Sequence, residues 1–117
     1  MVCKVTCNSK MVSFSYSQEY ENEEGENMSN EFKKYERILK GAANHRRIEM
    51  LRLLRSQPEL SLAEISESLK INLKTASEHL RRLALSGLIM KRYDGSFVRH
   101  KVSAVGEKIL TFLRMLE

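Results

Sequence analysis

Ser61-Leu-Ala-Glu-Ile-Ser-Glu-Ser-Leu69, then Lys70-Ile-Asn72, then Leu73-Lys-Thr-Ala-Ser-Glu-His-Leu-Arg-Arg-Leu-Ala-Leu-Ser-Gly87: the reading of this stretch decides the fold. Ser61 and Glu64 stand at capping-box spacing, where hydroxyl and carboxylate each satisfy an amide left free at a helix start. The helix so opened is short and turns Leu62, Ile65 and Leu69 inward. Lys70-Ile71-Asn72 is a turn of three residues, and Asn72 caps a second helix running to about Ser86. Ala76, Leu80 and Leu83 recur at helical steps and form its inner face, and Gly87 supplies a left-handed C-terminal cap.

Working outward, Leu88 to Tyr93 and Ser96 to Val102 read as two strands joined by Asp94-Gly95, a two-residue loop suited to a type I′ turn. Ser103 then caps a last helix, with Val105, Ile109, Phe112, Leu113 and Leu116 on one face. Upstream, Phe32, Tyr35, Leu39 and Ala42 mark an amphipathic helix ending at Gly41–Ala42. Asn44 caps the next one, whose buried stripe is Ile48, Leu51 and Leu54 with Met50 beside them; Pro58, the only proline, stops it. The fold class is mainly α with a small β-hairpin (α+β), arranged as a winged helix-turn-helix.

Charge divides the chain in two. Lys4 and Lys10 against Glu19, Glu21, Glu23, Glu24 and Glu26 give residues 1–30 a charge of −3, and residues 31–117 carry +8, for an overall +5. The first part is too polar and acidic to bury the surface that would offset its ordering entropy, and is expected to be a disordered tail. Residues 31–117 form the one domain, and Met11 and Met28 are alternative starts. A domain this small is only marginally stabilised by its own interior, which favours an oligomer. No apolar run approaches the ~20 residues of a bilayer helix, nor is there a secretory signal block, so no membrane is expected and the cytoplasm is the default location.

The basic part carries the footprint of a polyanion binder. A major groove admits one helix, and the residues reading it point away from the core that holds that helix. With Ala76, Leu80 and Leu83 inward, the outer face of 73–86 presents Lys74, Thr75, Ser77, Glu78, Arg81 and Arg82. Short hydroxyls near the N-terminal end suit base edges and phosphates; the arginines suit phosphate, or guanine where they reach an edge. His79 lies beside the inner stripe, either packing at the boundary or touching DNA. On the hairpin, residues 88–102, Arg92, Arg99, His100 and Lys101 are candidates for gripping phosphates or reaching the flanking minor groove, although alternation along a strand does not assure that Arg92 and Arg99 face DNA together with Lys101.

At this point the sequence resembles the ArsR-type family of bacterial and archaeal repressors, much of whose pattern is shared with MarR-like regulators. The resemblance covers residues 31–117 and rests on Gly41 to Leu54, Leu62 to Leu69, Thr75-x-Ser77-x-His79-Leu80-x-x-Leu83 and Gly87-Leu-Ile89. It implies a symmetric dimer, built from the first and last helices (31–42 and 103–117), that binds double-stranded DNA at a pseudo-palindromic operator. Metal-sensing members carry two cysteines where this chain has Ser61 and Ala63, neither a ligand for a soft metal, and the C-terminal helix has Glu107 and Glu117 but no histidine. Cys3 and Cys7 alone are not a complete site, so no metal or other cofactor is expected. Nor is catalysis: the sequence lacks a Gly-rich phosphate loop and a nucleophile paired with a base. The competing reading is a winged-helix interaction module of a larger assembly, which would present an apolar or acid-matching face in place of a basic helix.

Overall fold

Side-chain caps start four of the five helices among the described residues. In the computed structural model, which describes residues 28–117, α1 spans Met28–Ala42, α2 His45–Ser56, α3 Leu62–Leu69, α4 Leu73–Leu85 and α5 Ala104–Arg114, with β1 (Ile89–Asp94) and β2 (Phe97–Val102) between the last two. Asn44 Oδ1 accepts from the Arg46 and Arg47 amides at 2.9 and 3.3 Å. Ser61 and Glu64 complete their reciprocal box, the Ser61 amide donating to Glu64 Oε1 at 2.9 Å and the Glu64 amide to Ser61 Oγ at 3.3 Å. Asn72 accepts from the Lys74 amide and Ser103 from the Gly106 amide, each a one-way cap, for α4 and α5. Lys70 ends α3 in the left-handed region (φ 53°), and Ser66 Oγ donates to Ile71 O across the turn at 2.7 Å. The expected acidic tail, Cys3, Cys7 and Met11 fall outside the described residues except for 28–30, which belong to α1.

The helices close over one core. Met50, Leu51 and Leu54 of α2, Ile65 of α3, Ala76, Leu80 and Leu83 of α4, and Leu88, Ile89, Val102 and Leu110 are all buried. Met50 is fully buried whereas Ile48, expected in the stripe, is half-exposed. The last helix also departs from expectation: Gly106 and Leu110 face the core, with Val105, Ile109 and Leu113 flanking them, and Phe112 and Leu116 point out. The cause is Gly106, whose missing side chain lets α5 lie against the Leu88 carbonyl; a Cβ there would overlap it. That contact sets the rotation of the whole helix.

The hairpin register is not the expected one. Asp94 pairs with Phe97, so the two loop residues are Gly95 and Ser96. Gly95 has φ +66° while Ser96 is not at positive φ, the pattern of a type II′ turn with glycine first, not of type I′. Tyr93 therefore faces Val98, two residues beyond the partner that an Asp94-Gly95 loop would give, and the buried Ile89 and Val102 come opposite one another. A third segment joins the ribbon: the Glu59 amide donates to His100 O at 2.9 Å and the His100 amide to Leu60 O at 3.0 Å, with Glu59 held at φ 67°.

Candidate nucleic-acid interface

Burial of Ala76, Leu80 and Leu83 fixes how α4 is turned. Lys74, Thr75, Ser77, Arg81 and Arg82 are exposed on its other side, and Glu78 and His79 are half-buried at the flank. The seven residues expected from the helix thus lie on its accessible faces. Three of them are bound to each other: Glu78 accepts from Arg81 Nη2 at 2.8 Å and from Arg82 Nε at 2.9 Å. Hydrogen bonds from those two guanidinium groups hold the Glu78 carboxyl down to about 2, so it stays ionised at neutral pH. His79 packs against the start of α2 with Nδ1 buried and without a hydrogen-bond partner. Burial, then the Arg47 and Arg82 charges, pushes its pKa below the ordinary histidine value.

On the hairpin, Arg92 sits opposite Arg99 and Lys101 opposite Met90, so the three cations share one face after all. Arg92 donates to Glu59 Oε1 at 2.7 Å. Arg99 donates to Glu59 O at 3.4 Å, lies 3.6 Å from both Glu64 and Asp94, and stacks its guanidinium 5.5 Å from the Phe97 ring centre. The opposite face holds Lys91, Val98 and His100 and lines, with Leu62, Leu73 and Ser77, a concavity of about 430 Å³ between α3, α4 and the ribbon. His100 is withdrawn from solvent, its Nδ1 3.0 Å from Leu60 O, so the expectation that it grips a phosphate is corrected: an imidazole buried as part of the three-segment sheet cannot reach one. Sequence reasoning passed over Lys91, the hairpin cation beside the N-terminal half of α4; strand alternation counted from His100 would have placed it on that side.

Ser61 and Ala63, at the positions of the metal-binding cysteines, are an N-cap and an exposed helix residue. Among the described residues no three His, Cys, Asp or Glu side chains come together to hold a metal ion, and no helix is long and apolar enough to cross a membrane.

Residues 44–90, from the cap of α2 into β1, match the winged helix-turn-helix DNA-binding family. The transcriptional activator HlyU of Vibrio cholerae is 33% identical over 73 residues, which span 62% of this chain and 67% of that protein. The structure of reduced HlyU from the same organism is similar, at 30% identity and a TM-score of 0.65 over 76% of this chain and 94% of its own. The fold is also that of a homodimeric winged helix-turn-helix domain from Mycobacterium bovis, described as a possible ArsR-family regulator, with a TM-score of 0.71 at 24% identity over 82% of this chain and 89% of that one. HlyU is named as a transcriptional activator. The chain belongs to the winged helix-turn-helix family of DNA-binding transcriptional regulators, and its fold is of the ArsR type.

Proposed function

We propose that this chain is a sequence-specific cytoplasmic repressor that binds duplex DNA as a homodimer, with helix 73–86 in the major groove and the 88–102 hairpin as its wing. The observation that carries the reading is the turn of α4: Ala76, Leu80 and Leu83 are 0–3% exposed, while Lys74, Thr75, Ser77, Arg81 and Arg82 remain open on the other side. A helix about 10–12 Å across fits a groove about 12 Å wide, and that side is the one it would offer. Thr75 and Ser77 read base edges, and Glu78 accepts from a cytosine amine. Lys74, Arg81 and Arg82 take phosphates, and His79 donates beside them. On the wing, Arg92, Arg99 and Lys101 contact backbone by exchanging carboxylate partners for phosphate, and Lys91 joins them from the opposite face.

Dimerisation is supported by apolar side chains left open on the first and last helices and just past the latter: Phe32 59%, Leu39 56%, Phe112 49% and Leu116 66% exposed. The Mycobacterium bovis domain is homodimeric. Residues 31–117 then make up the DNA-binding and dimerisation unit, its two copies covering promoter DNA and excluding polymerase.

Binding to fragments selected from genomic DNA tests the reading. Arg82→Ala is expected to weaken binding to every duplex and to flatten the log–log salt slope by about one. Thr75→Ala or Ser77→Ala changes the preferred sequence instead. Unaltered affinity and preference in all three variants would mean that another surface meets the DNA.

A further inference from the structure

Like charges crowd at one seam that the recognition of bases does not use. The first turn of α2 carries Arg46 and Arg47, and α4 packs beside it with His79 and Arg82. Arg46, Arg47 and Arg82 are all near enough to act on the His79 ring, and Arg47 and Arg82 on one another. Two of the three have carboxylates alongside, Glu49 at 3.0 Å from Arg46 and Glu78 at 2.9 Å from Arg82. Arg47 is held by carbonyls alone, Gly41 O at 2.6 Å and Lys40 O at 3.3 Å, at the end of α1.

The ring itself has a direction. Its Nδ1 is sealed in without a partner, and a buried N–H lacking an acceptor is rarer than a buried acceptor lacking a donor. The neutral ring therefore carries its proton on Nε2, the nitrogen left for an outside ligand. Burial and then the Arg47 and Arg82 charges lower its pKa and favour the neutral ring, against the opposing charge of Glu78.

We propose that the seam between α2 and α4 is a phosphate-binding site, in which His79 Nε2–H donates to one backbone phosphate of the duplex while Arg46, Arg47 and Arg82 neutralise it. This deepens the DNA-binding reading and rests on it. His79 lies one turn beyond Thr75, about 6 Å along the helix axis, and Arg82 about 10 Å, so the phosphate is gripped by the half of α4 that follows the hydroxyls. Such a contact sets the angle at which the helix enters the groove without reporting on sequence.

The full chain and a 30-base-pair duplex selected by the wild type from random sequence provide the test, with an unrelated duplex alongside and circular dichroism to establish that each variant is folded. Arg46→Ala is expected to lose roughly tenfold in affinity for both duplexes and to lower the salt slope by about 0.9. His79→Leu loses roughly tenfold at an unchanged slope, because a neutral donor displaces no counterion, and His79→Gln, whose amide reaches the Nε2 position, keeps most of the binding. Nitrogen shifts of His79 report Nε2–H with and without DNA. Wild-type slope in Arg46→Ala, or wild-type affinity in His79→Leu, overturns the site while leaving the regulator intact. A wild type that binds neither duplex overturns both.

Discussion

His100 is the residue whose environment differs most from what its neighbours in sequence suggest. Between Arg99 and Lys101 it reads as part of a cationic ribbon, yet it is buried against Leu60. Burial, the largest influence, lowers its pKa, with Lys91 opposite acting in the same direction and the Leu60 contact opposing. The unfolded chain, with an ordinary histidine near 6.5, then takes up a proton more readily than the folded one. Stability from this residue is complete above about pH 6.5 and is lost as pH falls from there toward the lowered folded value. Urea midpoints between pH 7.5 and 5.5 should drop more in the wild type than in His100→Asn, which keeps a donor near the Nδ1 position; equal drops would place the acid sensitivity elsewhere. No local pattern in the sequence marks this burial, because it is decided by Leu60, forty residues earlier.

Elements whose energetics are local were legible, and those decided by distant contacts were not. Asn44, Ser61 with Glu64, Asn72 and Ser103 each mark a helix start, since a cap and its amides lie within three residues of one another. The inner face of α4 was equally plain from Ala76, Leu80 and Leu83. The hairpin turn was not: Asp94-Gly95 and Gly95-Ser96 are both acceptable loops, and only the pairing of buried Ile89 with Val102 separates them. The face of α5 likewise depended on Gly106 meeting the carbonyl of Leu88, a residue well outside its own helix. Gly106→Ala should cost about 1–3 kcal/mol through that overlap, read as a lower denaturant midpoint with unchanged m-value. A variant as stable as wild type would mean that α5 can slide without penalty. Of the candidate DNA surface, the α4 side chains could be placed from periodicity, but the Glu78 bridge, the Arg92–Glu59 pair and the position of Lys91 needed the folded arrangement.

At the scale of the molecule, the same helices that look amphipathic in sequence leave part of their apolar faces uncovered. Of the described residues of α1, Ile38 and Ala42 pack on the core and Gly41 lies against Ser86 and Leu88, whereas Phe32, Tyr35 and Leu39 do not pack there. A second copy placed against α1 and α5 would cover them. Replacing Leu39 or Phe112 with Glu should therefore convert the protein to a monomer in sedimentation and weaken operator binding by tenfold or more, while a single half-site is bound as before. If Phe112→Glu sediments like the wild type, the subunits meet through another surface.

The bonds between Glu59–Leu60 and His100 have a mechanical result. They stitch β2 to the segment leading into α3, while Ser103 Oγ donates to Gly87 O at 2.6 Å and ties the base of the ribbon to the close of α4. Ribbon and α4 are thus tied into a single plate within their own subunit. Whatever tunes the grip of the proposed pair on an operator acts by changing the spacing of two such plates, as calipers are set, and not by bending either jaw.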